Sequence, residues 1–218
     1  MKDSGSEDQR RPAMDRASSS TVARLSSYFR LLGELEAETV ETVSSQRLAE
    51  RGAITSAQVR KDLSRFGNFG RRGLGYNVHG LRDEIGQILG LNRVWRVALV
   101  GAGNLVQALF SYEGFGKQGF PIEAVFDNDA SKIGTSWNGL EVQDFANFAK
   151  NARKKRFDIV ILAVPTEAAQ VVVDTVIAEG TNGILNFAAI KLDVPAHVAV
   201  REVDLSIAME SLSFALSQ

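Results

Sequence analysis

Residues 97–104 read VALVGAGN, a short apolar run that leads directly into two closely spaced glycines. An apolar run of this length is typical of a strand that is buried in a parallel sheet. Gly101 then suits a tight turn, and Gly103 suits the close approach of a pyrophosphate to the start of the next helix. The stretch therefore predicts the first strand, turn and helix of a Rossmann dinucleotide-binding domain.

Strands and helices alternate on the C-terminal side of this stretch. Apolar runs predict strands over 122–126, 158–164, 183–186 and 198–203. Helical patterns lie between them, over 104–112, 144–153 and 166–179. This alternation predicts an α/β fold with a doubly wound parallel sheet. An apolar helical stripe from Leu205 to Leu216 ends the chain, and it fits either the core or a partner subunit.

An acidic residue ends the second predicted strand. Asp127 follows Gly101 by 26 residues, and an acid at this place typically accepts hydrogen bonds from the adenosine ribose hydroxyls. Its charge would also disfavour the 2'-phosphate of NADP. The other interpretation is that the glycines serve only the turn and that Asp127 caps the strand. The third glycine of the Rossmann fingerprint is replaced by Val106.

The N-terminal part of the chain predicts a helical domain behind a polar tail. Residues 1–20 contain almost no large apolar side chain, so we predict that they are disordered. Helical patterns begin at Thr21, at Ser45 and at Thr55, where Thr55 and Gln58 fit a capping box. A glycine-rich hairpin over 67–75 and another amphipathic helix follow. We therefore expect a winged-helix domain over 21–90, a Rossmann domain over 91–203 and a C-terminal dimerisation helix over 204–218.

The third helix carries a polar face that is typical of DNA recognition. Val59, Leu63 and Phe66 form its apolar side. The residues expected on the opposite side are Gln58, Arg60, Lys61, Ser64 and Arg65. Six basic residues stand against two acids between Arg60 and Asp83, which gives this stretch a net charge of +4. Arg71 and Arg72 at the hairpin tip could enter a narrow minor groove, whereas the alternative is a solvated charged face.

Composition excludes several other classes of protein. The chain has a net charge of -1, 44% hydrophobic residues and no cysteine, so disulfides, iron–sulfur clusters and thiolate metal sites are excluded. We see no apolar run of membrane-spanning length, so we expect a cytoplasmic protein with no membrane or metal partner. His79 and His197 fit surface positions better than catalytic ones, and a catalytic dehydrogenase pair is not found. We therefore expect no enzyme.

Four segments resemble the Rex family of redox-sensing transcriptional repressors. They are TSAQVRKDLSRFGNFGRRGLGYNV (55–78), VALVGAGN (97–104), AVPTEAAQ (163–170) and GILNFA (183–188), and the resemblance extends over about residues 22–216. It implies a homodimer whose winged helices bind a palindromic operator of double-stranded DNA. It also implies Rossmann domains that bind NADH or NAD+ as a regulatory ligand, C-terminal helices that are exchanged between subunits, and release of the operator by NADH.

The resemblance also implies site residues in this chain. Those toward DNA are Arg60, Lys61, Arg71 and Arg72. Those toward the nucleotide are Gly101, Gly103, Asn104, Asp127, Val164, Pro165, Asn186 and Phe187. We also expect Ala102, Leu105 and Val106, from the same glycine turn and helix start, at the nucleotide. We expect Phe187 to pack on the reduced nicotinamide ring. The chain departs from the usual family pattern at Val106, where glycine is common, and at Ala189, where proline is common. Two alternatives remain open: a winged-helix repressor whose nucleotide response is lost or altered, and an NAD-dependent oxidoreductase.

Overall fold

The structure is a computed structural model that describes residues 17–71, 73–111 and 114–217. The chain divides into two compact units, of which the first ends at Arg93 and the second begins at Val94. Each unit has its own apolar core. Among the helices in this described part, none is both long and apolar enough to cross a membrane.

In its described residues, the first unit combines four helices with a small antiparallel sheet. Its elements are α1 (Ser19–Ala37), β1 (Thr42–Val43), α2 (Ser45–Arg51), α3 (Ser56–Ser64), β2 (Gly70–Arg71), β3 (Gly75–Asn77) and α4 (Val78–Ile88). The strand order is β1-β3-β2, and both pairings are antiparallel. A helical unit followed by a hairpin of this kind is a winged helix, so the predicted fold of this part of the chain is confirmed.

Helix α1 begins earlier than the sequence predicts. Ser18 accepts a hydrogen bond from the Thr21 amide, and the helix starts at Ser19. A serine cap satisfies one of the free amides at a helix start, which explains why the helix extends into the predicted tail. Residues 17–20 are therefore ordered, and the predicted disorder of residues 1–16 lies outside the described residues.

The second unit is built on a seven-stranded sheet. Its elements are β4 (Val97–Val100), α5 (Asn104–Phe110), α6 (Gly114–Lys117), β5 (Ile122–Asp127), β6 (Ser136–Trp137), β7 (Leu140–Asp144), α7 (Phe148–Lys155), β8 (Ile159–Leu162), α8 (Thr166–Ala178), β9 (Gly183–Asn186), β10 (Ala199–Glu202) and α9 (Leu205–Leu216). The strand order is β10-β9-β8-β4-β5-β7-β6, and only the β6–β7 pairing is antiparallel. The predicted doubly wound parallel sheet is confirmed.

The sequence analysis missed strands β6 and β7 at one edge of the sheet. They form a hairpin whose turn contains Asn138 and Gly139, both with positive φ. An Asn-Gly pair favours such a turn. The strands were missed because β6 has only two residues and β7 only five, although Leu140 and Val142 of β7 alternate with polar residues.

Strand β4 marks the switch point of the sheet. It pairs with β5 on one side and with β8 on the other, so the chain connections leave it in opposite directions. Ligands of doubly wound sheets bind in the crevice at such a point, outside the carboxyl ends of the strands. The fold therefore places the VALVGAGN stretch where a nucleotide site is expected.

Candidate functional site

Gly101 is required by the protein chain itself. Its φ is +100°, and a Cβ atom at this position would lie 2.3 Å from the carbonyl oxygen of Ala163. No side chain fits so close to a backbone atom, and the positive φ adds strain for any L-residue. Gly101 is therefore needed for the turn between β4 and α5. This agrees with the alternative in which the glycines serve only the turn.

Gly103 differs, because no contact with the described residues requires glycine there. A Cβ atom at Gly103 would meet none of their heavy atoms within 4 Å. Its φ is -90°, which any residue adopts, and α5 begins at the next residue without a side-chain cap. An open space at a helix start fits the close approach of a phosphate group to the backbone.

The space in front of Gly103 belongs to a crevice of about 500 Å³. Its lining combines the ends of β4, β5 and β8 with the start of α8. The lining residues are Val100, Gly101, Gly103, Asp127, Asn128, Asp129, Lys132, Phe145, Ala163, Val164, Pro165, Ala168 and Val172. Five residues that the sequence analysis assigned to the nucleotide thus come together here: Gly101, Gly103, Asp127, Val164 and Pro165.

The carboxylate of Asp127 is committed to hydrogen bonds within the chain. Its Oδ2 accepts from the Ala102 amide at 2.6 Å and from Lys132 Nζ at 3.1 Å, and its Oδ1 accepts from the Asp129 amide at 2.8 Å. Burial opposes ionisation of Asp127, but these donors outweigh it and hold its pKa below the ordinary value. The carboxylate therefore fastens the glycine turn to the end of β5.

The assignment of Asp127 to the ribose hydroxyls stays a prediction. Asp127 lines the crevice, although it is only 6% exposed and already accepts three hydrogen bonds within the chain. Asn128 and Asp129 lie beside it in the crevice lining, and the sequence analysis missed both. Their signal was the continuation FDND, in which polar residues extend past the strand end.

Val106 is a core residue. It is 1% exposed and belongs to the apolar cluster that contains Val97, Leu99 and Val125 from the sheet. It is not among the residues that line the crevice of Gly103. Val106 therefore packs between α5 and the sheet, at the place where the third glycine of the fingerprint would allow closer packing. Its side chain does not line the crevice. Ala102 is buried like Val106, whereas Asn104 is exposed.

A second cavity, of about 440 Å³, lies between the β9 end and the start of α9. It groups Leu105, Asn186 and Phe187 with Asp204 and Leu205. Within it, the side-chain amide of Asn186 is used by the turn: its Oδ1 accepts from the Ala188 amide and its Nδ2 donates to the Ile190 carbonyl. Asn186 thus shapes the turn, while Phe187 remains half-buried at the cavity lining.

The first unit carries a groove of about 530 Å³ between α3 and the hairpin. Its lining contains Arg60 and Ser64 from α3, Arg71 and Leu74 from the hairpin, and Tyr76 from β3. The Arg60 guanidinium donates to Ser45 Oγ at 2.9 Å, which connects it to the start of α2. Ser44, Ser45 and Asn68 also line the groove, and the sequence analysis missed them because they lie outside the third helix.

Asp62 lies beneath this surface and is buried. It accepts hydrogen bonds from three side chains: Arg24 Nε at 2.6 Å, the Tyr28 hydroxyl at 2.9 Å and Gln58 Nε2 at 2.7 Å. Burial raises the pKa of Asp62, but these donors reverse the shift and hold the pKa below its ordinary value. The carboxylate therefore anchors α3 to α1.

This network bears on two expectations for α3. Thr55 Oγ accepts from the Gln58 backbone amide, as the predicted capping box requires, but the side-chain amide of half-buried Gln58 donates to Asp62. Asp62 was counted in the net charge of this stretch, yet it is 2% exposed and paired with Arg24. The outward face of α3 is therefore more positive than the count over the sequence suggested.

Two other predicted DNA residues, Lys61 and Arg65, are exposed and lie outside the groove lining. Arg72 lies outside the described residues. His79 is on the surface between Glu36 and Asp83, and His197 is exposed. Within 17–71, 73–111 and 114–217, no group of His, Asp and Glu side chains could hold a metal ion.

Fold and geometry together define a class of protein, namely a winged-helix unit joined in one chain to a Rossmann-like unit with an open crevice at its switch point. Two family models match the two units. One is described as a putative DNA-binding protein N-terminus and covers residues 17–64. The other is described as a CoA binding domain and covers residues 92–190.

Relatives along nearly the full length are named redox-sensing transcriptional repressor Rex. The protein from Pelotomaculum thermopropionicum is 48% identical over 91% of this chain and 93% of its own length. The protein from Desulfitobacterium hafniense is 46% identical over 89% of this chain and 92% of its own length. The chain therefore belongs to the Rex family of redox-sensing transcriptional repressors, and the family that the sequence indicated is confirmed.

Solved structures of similar fold support the same family assignment. The crystal structure of RSP in complex with beta-NAD+ and operator DNA matches with a TM-score of 0.87 and 36% identity, over 92% of each chain. RSP in complex with beta-NADH matches with a TM-score of 0.83 and 34% identity, over 92% of this chain and 94% of the other. The expectation that the chain is a repressor and no enzyme is also confirmed.

Proposed function

We propose that this chain represses transcription by binding a palindromic operator as a homodimer, and that NADH, competing with NAD+, releases it. One observation carries the proposal, namely that a single chain holds two candidate sites. The first is a basic groove between the recognition helix α3 and the wing, which is the hairpin of β2 and β3. The second is a crevice in which no contact with the described residues requires the glycine at position 103. A repressor acts on chromosomal DNA, so we place the protein in the cytoplasm.

The nucleotide would lie in the crevice of Gly103, with its pyrophosphate against the start of α5. Gly103→Ala should weaken NADH binding roughly tenfold, because the added methyl group occupies the pyrophosphate space. Gly116→Ala is a matched control, since a Cβ atom there also meets no heavy atom of the described residues within 4 Å. Equal NADH affinity of the two variants, measured by calorimetry, would show that the nucleotide does not bind at Gly103.

The switch itself is tested by operator binding at fixed salt. A palindromic duplex that the full-length protein selects from a random library serves as the probe, and fluorescence anisotropy follows its release. NADH should release the probe while NAD+, NADPH and CoA should not. Linkage requires that the same duplex weakens NADH binding by an equal factor, which calorimetry checks. Tight binding that NADH leaves unchanged would instead favour a repressor without a nucleotide response.

We place the dimer contact at helix α9. None of its residues is buried within the chain, and its large apolar side chains are 54% to 80% exposed. These side chains are Leu205, Ile207, Met209, Leu212, Phe214 and Leu216. An apolar helix with no core contact of its own fits burial against a second copy, in the exchanged arrangement that the sequence suggested. Leu212→Glu should yield monomers in sedimentation equilibrium, and an unchanged dimer would exclude this interface.

Phe187 is our candidate for sensing the nicotinamide. The oxidised ring carries a positive charge and the reduced ring does not, so apolar packing favours the reduced form. Phe187 is half-buried at the cavity between β9 and α9. Phe187→Ala should bring the affinities for NADH and NAD+ closer together, whereas an unchanged ratio would contradict this role.

A further inference from the structure

The wing carries an exposed leucine that no part of the sequence analysis used. Leu74 is 69% exposed, and the next most exposed large apolar residue among the described residues of the first unit is Val22, at 38%. Single exposed apolar residues are common on protein surfaces, so exposure alone decides nothing. The backbone conformation around Leu74 and its place beside basic side chains are what point to a role.

Glycines in the left-handed conformation flank Leu74 on both sides. Gly73 and Gly75 both have a φ of +82°, and the Leu74 amide donates to the Arg71 carbonyl at 3.1 Å. A Cβ atom at Gly75 would lie 2.5 Å from the carbonyl oxygen of Val43, so the hairpin lies directly on β1. Leu74 is thus held at the end of a short, closed turn.

Leu74 also shares a groove with the basic side chains of the DNA-binding surface. Arg60 and Ser64 from α3 line this groove together with Arg71 and Leu74 from the hairpin. The apolar side chain therefore stands beside the cations that would contact phosphates, in a groove whose two sides are α3 and the wing.

We propose that Leu74 enters the minor groove of the operator and wedges against one base step in each half-site. Apolar side chains that enter a minor groove beside arginines unstack a step and bend the duplex, and pyrimidine–purine steps deform most easily. Leu74 thereby makes the wing sensitive to DNA deformability, whereas Arg71 adds only charge. This inference rests on the proposed DNA-binding function.

The test uses the full-length protein and the palindromic duplex it selects. One probe carries a TA step at the wing position and a second carries AA there. Wild type should prefer the TA probe, and Leu74→Ala should lose about tenfold in affinity for it, so that both probes bind alike. Leu74→Met should keep the preference. Equal discrimination by wild type and Leu74→Ala would overturn the proposal.

Salt dependence separates the two wing residues. Leu74→Ala should leave the slope of log affinity against log salt unchanged, whereas Arg71→Ala should lower it by about one per subunit. Val171→Ala is a control, because Val171 is equally exposed, at 70%, but lies in the second unit. Val171→Ala should bind both probes as wild type does. A changed slope for Leu74→Ala would mean that it acts through phosphate contacts and would contradict the wedge.

A direct readout comes from 2-aminopurine placed at successive steps of the duplex. Wild type should raise its fluorescence at one step per half-site, and Leu74→Ala should not. If no step brightens with wild type although the duplex binds tightly, the wedge is wrong but the repressor function stands. If the wild type selects and binds no palindrome, the proposed function itself fails.

Discussion

Among the described residues, each unit buries one aspartate at its candidate site, but the two carboxylates are held by different donors. Asp62 is held by side chains from two helices, and its closest contact is to Arg24 at 2.6 Å. Asp127 is held chiefly by backbone amides of the glycine turn and of its own loop. One acid thus depends on which side chains surround it, and the other depends on the course of the backbone.

This difference explains why the sequence predicted one acid better than the other. Asp127 follows a strand and a glycine turn at a familiar spacing, so its place at the site could be inferred, though not its partners. Two of the three partners of Asp62 lie 34 and 38 residues earlier on α1, and no local pattern connects them with it. The third, Gln58, lies four residues earlier on the same helix. Asp62 was therefore counted only in the net charge of the stretch from Arg60 to Asp83.

The largest effect should follow removal of the side-chain network. Asp62→Ala leaves Arg24 and the buried Tyr28 hydroxyl without their acceptor, and we expect a loss of about 3 kcal/mol in unfolding free energy. Chemical denaturation of the full chain, followed by probes in each unit, checks this value. A loss confined to the second unit would contradict the assignment, and Asp83→Ala, at an exposed acid, is the control.

Removal of the second acid should cost less, about 2 kcal/mol. Asp127→Ala leaves the Ala102 and Asp129 amides without an acceptor, but water can reach the crevice and replace part of the bonding. Because the glycine turn loses its fastening, NADH affinity should fall as well. Denaturation and calorimetry measure the two effects. Unchanged NADH affinity would show that the turn holds its shape without the carboxylate.

Low pH should decrease the free energy of unfolding of both units, by less than either substitution to alanine. The folded pKa of each acid lies below its ordinary value of 3.8, so each contributes stability that is present above about pH 4 and is lost as the pH falls through the folded pKa. Protonation leaves the side chain in place, which limits the loss. Asp62→Asn should flatten the acid decline of the first unit only. An unchanged decline would mean that other carboxylates cause it.

Much of the fold follows from local patterns, and much of the site does not. The strand that leads into Gly101 and the helix that begins at Ser45 were predicted because apolar runs and caps are local signals. Strands β6 and β7 were missed because they are short, with two and five residues. The hydrogen bond from Gln58 to Asp62 was missed because only the packing of α3 on α1 buries Asp62.

Substitution of Lys132 should have the smallest effect of these changes. It tests whether the backbone amides alone hold the carboxylate of Asp127. Its Nζ lies 3.1 Å from Asp127 Oδ2, but its side chain is 39% exposed. Half-exposed ion pairs contribute little, so Lys132→Met should cost less than about 1 kcal/mol in denaturation. The pKa of Asp127, followed by NMR, should stay below its ordinary value, because the Ala102 and Asp129 amides remain. A loss as large as that of Asp127→Ala would mean that a side chain holds this acid too, and the contrast with Asp62 would disappear.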